Sequence, residues 1–241
     1  MDIIEERKVL QKTLMTQAEN YAQYMQKSLG EDIAIIVLFG SVAKKIANIN
    51  SDIDILIIHF GDSDFEKQLD AESFTFMMKT GAPIECLVYE YYDAKYNPSY
   101  FLKYNLEHGE ILFMKNEDEL KRREIEGYIK LSVLFEEDAR DCLERNRIRA
   151  TIDLGYNSIE LKIKALLLKK LDDLPGSHGG LISKFGEKYI ITKEYEAEIG
   201  KNLHKALRLR NKARYDPQAD LTTENCSFIL SLITELSNLL K

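Results

Sequence analysis

The chain contains little that would cross-link it or anchor it in a membrane. Its 241 residues include three cysteines, four prolines and no tryptophan. The cysteines, Cys86, Cys142 and Cys226, are far apart, odd in number and without zinc-site spacing, so we expect reduced thiols rather than disulfides. No apolar run is long enough to span a bilayer. The N-terminal sequence also lacks the basic start and apolar core of a signal peptide. These features predict a cytoplasmic protein with no membrane partner.

Positive charge is scarce as well. The chain has 33 lysines and arginines against 40 aspartates and glutamates, which gives a formal net charge of −7. This balance disfavours general binding to a nucleic-acid backbone, although a local basic patch is still compatible with it. The length suits one large globular domain or two modest ones, and the hydrophobic content of 45% is typical of such domains.

The most informative stretch covers residues 35–58, IIVLFGSVAKKIANINSDIDILII. The apolar run Ile35–Phe39 predicts a strand buried on both faces. Gly40 then allows a close approach of the backbone to a ligand, and Ser41 offers a hydroxyl and an N–H group at the start of a helix. We predict that this short helix covers Val42–Ala47.

Asp52 and Asp54 open the next apolar run, Ile55–Ile58. Because side chains alternate along a strand, both carboxylates are expected on one face. Adjacent carboxylates repel each other unless a cation lies between them, and Mg²⁺ binds both carboxylate and phosphate oxygens. An isolated Asp-x-Asp pair is more often a solvated turn than a metal site. The preceding strand and Gly-Ser turn are what favour a site for metal and nucleotide.

The order Gly-Ser, ten residues, Asp-x-Asp resembles the signature of the minimal nucleotidyltransferases of the polymerase-beta-like superfamily. The resemblance implies transfer of a nucleoside monophosphate, AMP from ATP in the first instance, with one or two Mg²⁺ ions. It assigns metal binding and catalysis to Asp52 and Asp54. It assigns nucleotide binding to Gly40, Ser41, Lys44 and Ser51. Many members carry glycine where this chain has Lys45, so we expect the turn to differ in shape.

A third carboxylate lies in the apolar segment Pro83–Tyr89, which predicts another strand. Glu85 in its middle would be costly without a partner. The resembled family has a third acidic residue on the neighbouring strand, and this resemblance assigns metal binding and catalysis to Glu85. A solvated glutamate on an edge strand is the alternative interpretation, and Glu90 is the rival candidate.

The overall pattern predicts an α+β chain with two domains. Residues 1–116 are expected to form the nucleotidyltransferase domain, a small mixed sheet flanked by helices. Its predicted helices include 2–29, with Ile3, Leu10, Leu14, Tyr21 and Met25 on one stripe, and 64–80; residues 111–113 predict a short strand. Residues 117–241 are expected to form an all-helical bundle. Its predicted helices cover 119–146, 148–171, 181–189, 194–212 and 222–240.

Two segments of the second half, SHGGLISKFGE (177–187) and LHKALRLRNKARYDP (203–217), resemble the HEPN superfamily. Such helical domains accompany minimal nucleotidyltransferases, and the resemblance implies a homodimer through this domain. Nuclease members place a histidine four to six residues after an arginine. Here Arg210 is followed by Tyr215 and no histidine, so RNA cleavage is not expected. Tyr215 occupies the place of a tyrosine segment that the transferase modifies in related two-gene systems, which suggests self-modification.

Several functional alternatives remain open at this stage. The helix containing Lys201–Arg214 is basic, and either forms a solvated face or binds ATP phosphates, RNA or an acidic partner. The acceptor is unidentified and could be a small molecule, as in the kanamycin nucleotidyltransferase type, a protein or an RNA. The chain could instead be a non-catalytic nucleotide-binding regulator, a remnant of a fused toxin–antitoxin pair, or an RNA-binding module. His178 and His204 are interpreted as structural.

Overall fold

The computed structural model of the protein describes residues 3–241, with side chains from residue 5 onward. It contains two compact units, one extending to Leu120 and the other covering Lys121–Lys241. The first combines a sheet with helices and the second is helical, which confirms the predicted α+β class. The domain boundary between residues 116 and 117 stays a prediction.

The first unit is built on a mixed four-stranded sheet. Its strands are β1 (Ile33–Phe39), β2 (Ile53–His59), β3 (Ile84–Glu90) and β4 (Glu110–Met114). Their order is β3-β2-β1-β4. Strand β1 is antiparallel to β2 and β4, whereas β2 and β3 are parallel. The predicted small mixed sheet is therefore confirmed.

Helices cover both faces of this sheet. They are α1 (Ile3–Leu29), α2 (Gly40–Ala43), α3 (Phe65–Thr80), α4 (Tyr91–Tyr96) and α5 (Tyr100–His108). Leu14, Tyr21 and Met25 of α1 are buried in the core on one face, as their spacing predicts. The side chain of Ile3, which the spacing predicts on the same stripe, lies outside the described residues.

The continuous apolar runs of β1 and β2 follow from this two-sided burial. Ile36 and Ile55 belong to the core under α1 and α3. Val37 and Leu56, each the next residue along its strand, belong to the second core, under α4 and α5. A strand with both faces covered has no polar alternation, which is why the sequence shows uninterrupted hydrophobic stretches there.

The helix predicted over Val42–Ala47 is wrong in its extent. Helix α2 begins at Gly40 and ends at Ala43. The backbone of Lys45 is left-handed, with φ 59°, so the helix cannot continue through it. The Lys45 N–H donates to the Val42 carbonyl at 3.1 Å, and the Ile46 N–H donates to the Ser41 carbonyl at 3.0 Å. These bonds close the turn that follows the Gly-Ser pair.

The second unit confirms the predicted bundle. Its helices are α6 (Glu117–Glu144, which begins in the first unit), α7 (Ile148–Leu168), α8 (His178–Phe185), α9 (Ala197–Tyr215) and α10 (Thr223–Leu240). Helix α8 continues as a π-helical turn over Gly186–Ile190. The helix predicted over 181–189 therefore begins earlier, at His178, and its last part is π-helical rather than α-helical. Helix α7 packs against α9 and α10 and supplies many of the core side chains. None of the helices in residues 3–241 is long and apolar enough to cross a membrane.

His59 gives the first unit a predicted pH dependence. Its side chain is 3% exposed, and its ring stacks on that of Phe65 at 4.0 Å. Burial lowers the pKa of His59 below its ordinary value of 6.5, although the charges of Glu90, Glu66 and Asp32 oppose this shift. Unfolding exposes a ring that binds protons more readily, so the stability contributed by neutral His59 is present above pH 6.5 and is lost as the pH falls below it.

We therefore expect the melting temperature to fall between pH 7 and pH 5, and to fall less in His59→Asn. Thermal unfolding followed by circular dichroism across this range measures the difference. His108→Asn is the control, because this histidine lies on the surface of the same unit. A pH profile that is identical for His59→Asn and wild type would contradict the account.

Candidate nucleotidyl-transfer site

The turn after β1 packs directly against a carboxylate. Gly40 has a positive φ of 69°, a region that side chains disfavour. A Cβ atom at this position would lie only 1.8 Å from Oδ2 of Asp54. The absence of a side chain at residue 40 therefore lets the turn and the Asp54 carboxylate occupy neighbouring space.

Asp54 is half-buried in β2 and accepts a hydrogen bond from the backbone N–H of Ser41. Burial raises the pKa of Asp54, and the negative charges of Glu85 and Asp52 raise it further. The Ser41 hydrogen bond acts in the opposite direction. The carboxylate thus sits where negative charge is unfavourable, and a bound cation would relieve that cost.

The register of the sheet brings a second carboxylate beside Asp54. Strands β2 and β3 run parallel, and Asp54 pairs with Glu85. Paired residues of neighbouring strands project to the same face, so the two acidic side chains lie side by side. Both Glu85 and Asp52, which immediately precedes β2, are exposed. Glu90, the rival candidate, pairs with His59 at the opposite end of these strands.

These carboxylates do not converge on one point as they stand. Within residues 3–241, no group of three or more histidine, cysteine, aspartate or glutamate side chains is arranged to hold a metal ion. Asp54 instead bonds to Ser41, while the exposed Asp52 and Glu85 are free to change rotamer. After such a rotation, the three carboxylates would fit a divalent ion. They supply hard oxygen donors, and the ion would neutralise the negative charge that raises the Asp54 pKa.

Two of the predicted nucleotide-binding residues have other contacts. The Lys44 ammonium lies 6.0 Å from the centre of the Tyr104 ring. The Ser51 hydroxyl accepts a hydrogen bond from the Asn48 N–H at 2.9 Å, and the Ser51 N–H donates to the Asn48 carbonyl at 2.9 Å. Ser51 therefore closes the loop that delivers Asp52 to the site. Nucleotide binding by Lys44 and Ser51 stays a prediction.

Helix α1 supports the turn in a way that the sequence did not reveal. The Gln11 side-chain amide donates to the Val42 carbonyl at 2.6 Å, and the Arg7 guanidinium donates to the Ile46 carbonyl at 3.3 Å. These partners are 31 and 39 residues apart, and no local pattern links them. The position of the Gly-Ser turn is thus fixed from the helix as well as from the strand.

The basic helix of the second unit, α9, is partly neutralised. Arg210 is 5% exposed and lies 3.6 Å from the Asp153 carboxylate, which Arg214 also contacts at 2.9 Å. Lys201 pairs with Glu198 at 3.0 Å. His178, interpreted as structural, contacts the Glu160 carboxylate.

Tyr215 follows these residues at the end of α9 and is 70% exposed. The centre of its ring lies 5.7 Å from the Arg210 guanidinium. The residue is thus open to solvent and has a cation beside it.

The strained backbone at Lys45 gives a stability prediction. Replacing Lys45 by glycine should raise the free energy of unfolding by about 0.5–1 kcal/mol, because glycine adopts the left-handed conformation without a Cβ clash. Chemical denaturation measures the change. Lys44→Gly is the matched control: its backbone is right-handed, with φ −76°, so the same substitution should destabilise. Equal destabilisation by both substitutions would contradict the strained conformation of Lys45.

Comparisons with known proteins agree with this architecture. Residues 19–118 match the family described as Polymerase beta, Nucleotidyltransferase. The chain therefore contains a polymerase-beta nucleotidyltransferase domain, and this confirms the predicted resemblance. Residues 128–241 match the HEPN domain family, so a HEPN domain follows the nucleotidyltransferase domain in this chain.

The individual proteins that resemble this chain have low sequence identity to it. A protein of Methanocaldococcus jannaschii named "Putative toxin MJ0142" is 26% identical over 109 residues, which cover 45% of this chain and 74% of that protein. Among solved structures, the spectinomycin adenyltransferase AAD(9) of Enterococcus faecialis with ATP and spectinomycin aligns over 92% of this chain and 99% of its own. The TM-score is 0.33 and the identity 13%. At those values the structural likeness carries no argument.

Proposed function

We propose that the chain is a metal-dependent nucleotidyltransferase that moves a nucleoside monophosphate, AMP from ATP in the first instance, onto a hydroxyl acceptor and releases pyrophosphate. The matched nucleotidyltransferase domain supports the reaction class. The observation that carries the proposal is the Asp54 carboxylate seated on the Gly40-Ser41 turn, with Glu85 in register beside it. We propose Asp52, Asp54 and Glu85 as the residues that hold one or two Mg²⁺ ions.

Bound Mg²⁺ would neutralise charge on the phosphate oxygens and on the departing pyrophosphate. The chain itself would bind and orient the triphosphate. A phosphate oxygen would compete with Asp54 for the Ser41 N–H, and Lys44 would exchange its weak contact with Tyr104 for a phosphate contact. The acceptor oxygen forms a bond to the α-phosphorus. At the same time the bond between the α-phosphorus and the oxygen that bridges the α- and β-phosphates breaks, and pyrophosphate leaves. Glu85 takes the proton of the acceptor hydroxyl.

Transfer can be tested with ATP labelled on either the α- or the γ-phosphate. The wild-type protein is incubated with Mg²⁺, each labelled ATP and a heat-treated cell extract, which supplies acceptors while its own kinases and polymerases are inactive; the same mixture without the protein gives the background. We expect label from the α-phosphate to enter an acceptor, with none from the γ-phosphate, and we expect EDTA to stop the transfer. Transfer of the γ-label, or no transfer of either label, would contradict the proposal.

Tyr215 is a specific acceptor to test, because its hydroxyl belongs to a side chain that is 70% exposed. After incubation with ATP and Mg²⁺, peptide mass spectrometry should find AMP on Tyr215, and total modification should disappear in Tyr215→Phe. Tyr100 is an internal control, since it is 85% exposed and should stay unmodified. An unmodified Tyr215 would remove self-modification and leave an external acceptor.

A second candidate function is a non-catalytic nucleotide-binding regulator derived from a fused toxin–antitoxin pair. Two observations favour it: the HEPN domain, in which no histidine follows Arg210 at the nuclease spacing, and the relative that is named as a toxin. This candidate predicts that ATP binds while neither label is transferred. The labelling experiment therefore separates the two functions.

A further inference from the structure

A cavity of about 900 Å³ lies in the first unit between helix α1 and the turn that follows the Gly-Ser pair. Arg7, Lys8 and Lys12 of α1 line one side, and Val42 and Lys45 of the turn line the other. A volume of this order is typical of sites that hold a small molecule or cofactor. Neither the Asp-x-Asp pair nor Glu85 lines this cavity.

The lining of the cavity is positively charged, in contrast to the chain as a whole. Four cationic side chains face only two acidic ones, Glu19 and Glu110, in a protein of net charge −7. The four cations, Arg7, Lys8, Lys12 and Lys45, are all exposed. Among the side chains described from residue 5 onward, Lys8 of this group forms a weak ion pair with Glu5 at 3.9 Å. The balance favours an anionic ligand and disfavours a polycationic one.

Lys45 provides an independent observation. It holds a left-handed backbone with φ 59°, a conformation that a residue with a Cβ disfavours. Strain of this kind is often retained where a side chain has a functional role. Here the strained residue is one of the cations lining the cavity.

Gln11 adds a polar group that lacks a partner. Its amide nitrogen is used by the Val42 carbonyl, but its side-chain oxygen is buried and has no hydrogen-bond partner among the described residues. A buried acceptor without a donor is costly, and a ligand with an N–H or O–H group would satisfy it once the Gln11 side chain turns this oxygen towards the cavity. Met15 and Ile46 supply apolar surface in the same cavity.

We propose that this cavity binds a phosphorylated ligand of mononucleotide size, at a site separate from the triphosphate site over Gly40-Ser41. A nucleotide combines the three groups that the lining can recognise: a phosphate for the cations, a hydroxyl or amino donor for Gln11 and a ring for the apolar surface. The same chemistry is offered by a free nucleotide and by the terminal nucleotide of an RNA. The proposal stands whether or not the proposed transfer reaction is correct.

The test is isothermal titration calorimetry of the full chain with AMP in EDTA. EDTA chelates divalent metal ions, so AMP cannot bind through a metal held by Asp52, Asp54 and Glu85. We expect wild type to bind AMP and Lys8→Gln/Lys12→Gln to bind about tenfold more weakly, because two phosphate-facing charges are lost. Lys67→Gln/Lys79→Gln is the matched control. It removes two exposed charges from another helix of the same unit and should bind like wild type. Asp54→Asn should also bind like wild type.

Three results would overturn the proposal: no binding by wild type at millimolar AMP, equal weakening by both lysine pairs, or binding that becomes at least about tenfold tighter in Asp54→Asn. The last would place AMP over the Gly-Ser turn, where the Asp54 charge repels a phosphate when no metal is present. A 5′-phosphorylated oligoadenylate distinguishes the sources of the ligand. Binding at least about tenfold tighter than that of AMP identifies an RNA terminus, because added phosphates then contribute, and equal binding identifies a free nucleotide.

Discussion

Asp54→Asn is expected to reduce nucleotidyl transfer by at least about a hundredfold, the order of loss that follows from disturbing a metal site. The substitution removes a carboxylate oxygen that we assign to the metal, while asparagine can still accept the Ser41 hydrogen bond. Pyrophosphate release in the presence of ATP and Mg²⁺ measures the effect. Asp64→Asn is the control, since this exposed residue precedes α3 and its side chain makes no capping hydrogen bond.

Although Asp54→Asn is expected to lower activity, it is expected to raise the stability of the metal-free protein. Because the pKa of Asp54 is raised in the fold, its charged form destabilises the metal-free protein at neutral pH. Asp54→Asn should therefore melt on the order of 1–2 °C higher than wild type at pH 7. The advantage should fade as the pH falls through the raised pKa towards the ordinary value of 3.8. Full activity in Asp54→Asn would contradict the assigned role, and a lower melting temperature at pH 7 would contradict the electrostatics.

Gly40→Ala is expected to cause a comparable loss of transfer through geometry alone. The added Cβ would lie 1.8 Å from Oδ2 of Asp54, so either the carboxylate or the turn must move. A displacement of this size at a reacting centre costs about a hundredfold in rate. The backbone adds a stability loss of about 1–2 kcal/mol, because φ is 69°.

Gly81→Ala separates these two effects. Gly81 has a nearly identical φ of 68°, but a Cβ there would meet nothing within 4 Å. It should lose a similar amount of stability in chemical denaturation and keep wild-type transfer. If Gly81→Ala lost as much activity as Gly40→Ala, destabilisation rather than the clash with Asp54 would explain both.

Much of the sheet could be predicted because each strand has a local signature. The uninterrupted apolar residues of β1 and β2 reflect burial on both faces, and this is visible in the sequence itself. The predicted extent of helix α2 is wrong because the end of the helix depends on a conformation that lysine disfavours. Nothing in the residue type of Lys45 predicts φ 59°, and the turn bonds to Ser41 and Val42 only became apparent in three dimensions.

The candidate site could likewise be predicted only in part. The motif order and the family resemblance identified Gly40, Asp54 and Glu85, but their proximity depends on strand register, which pairs Asp54 with a residue 31 positions later. The hydrogen bond between Asp54 and Ser41, and the support of the turn by Gln11, join residues distant in sequence. The cationic cavity has the same origin, since Lys12 and Lys45 meet only after α1 packs beside the turn.

The most direct test of a metal-dependent triphosphate site is a thermal-shift titration with ATP, with and without Mg²⁺. Wild type is compared with Asp52→Asn/Asp54→Asn, and the other nucleoside triphosphates are titrated in parallel to identify the preferred donor. We predict that Mg²⁺ increases the rise in melting temperature that ATP causes in wild type, and that the double variant loses this Mg²⁺-dependent increase. A Mg²⁺-dependent increase of equal size in both proteins, or none with any triphosphate, would contradict the proposed site.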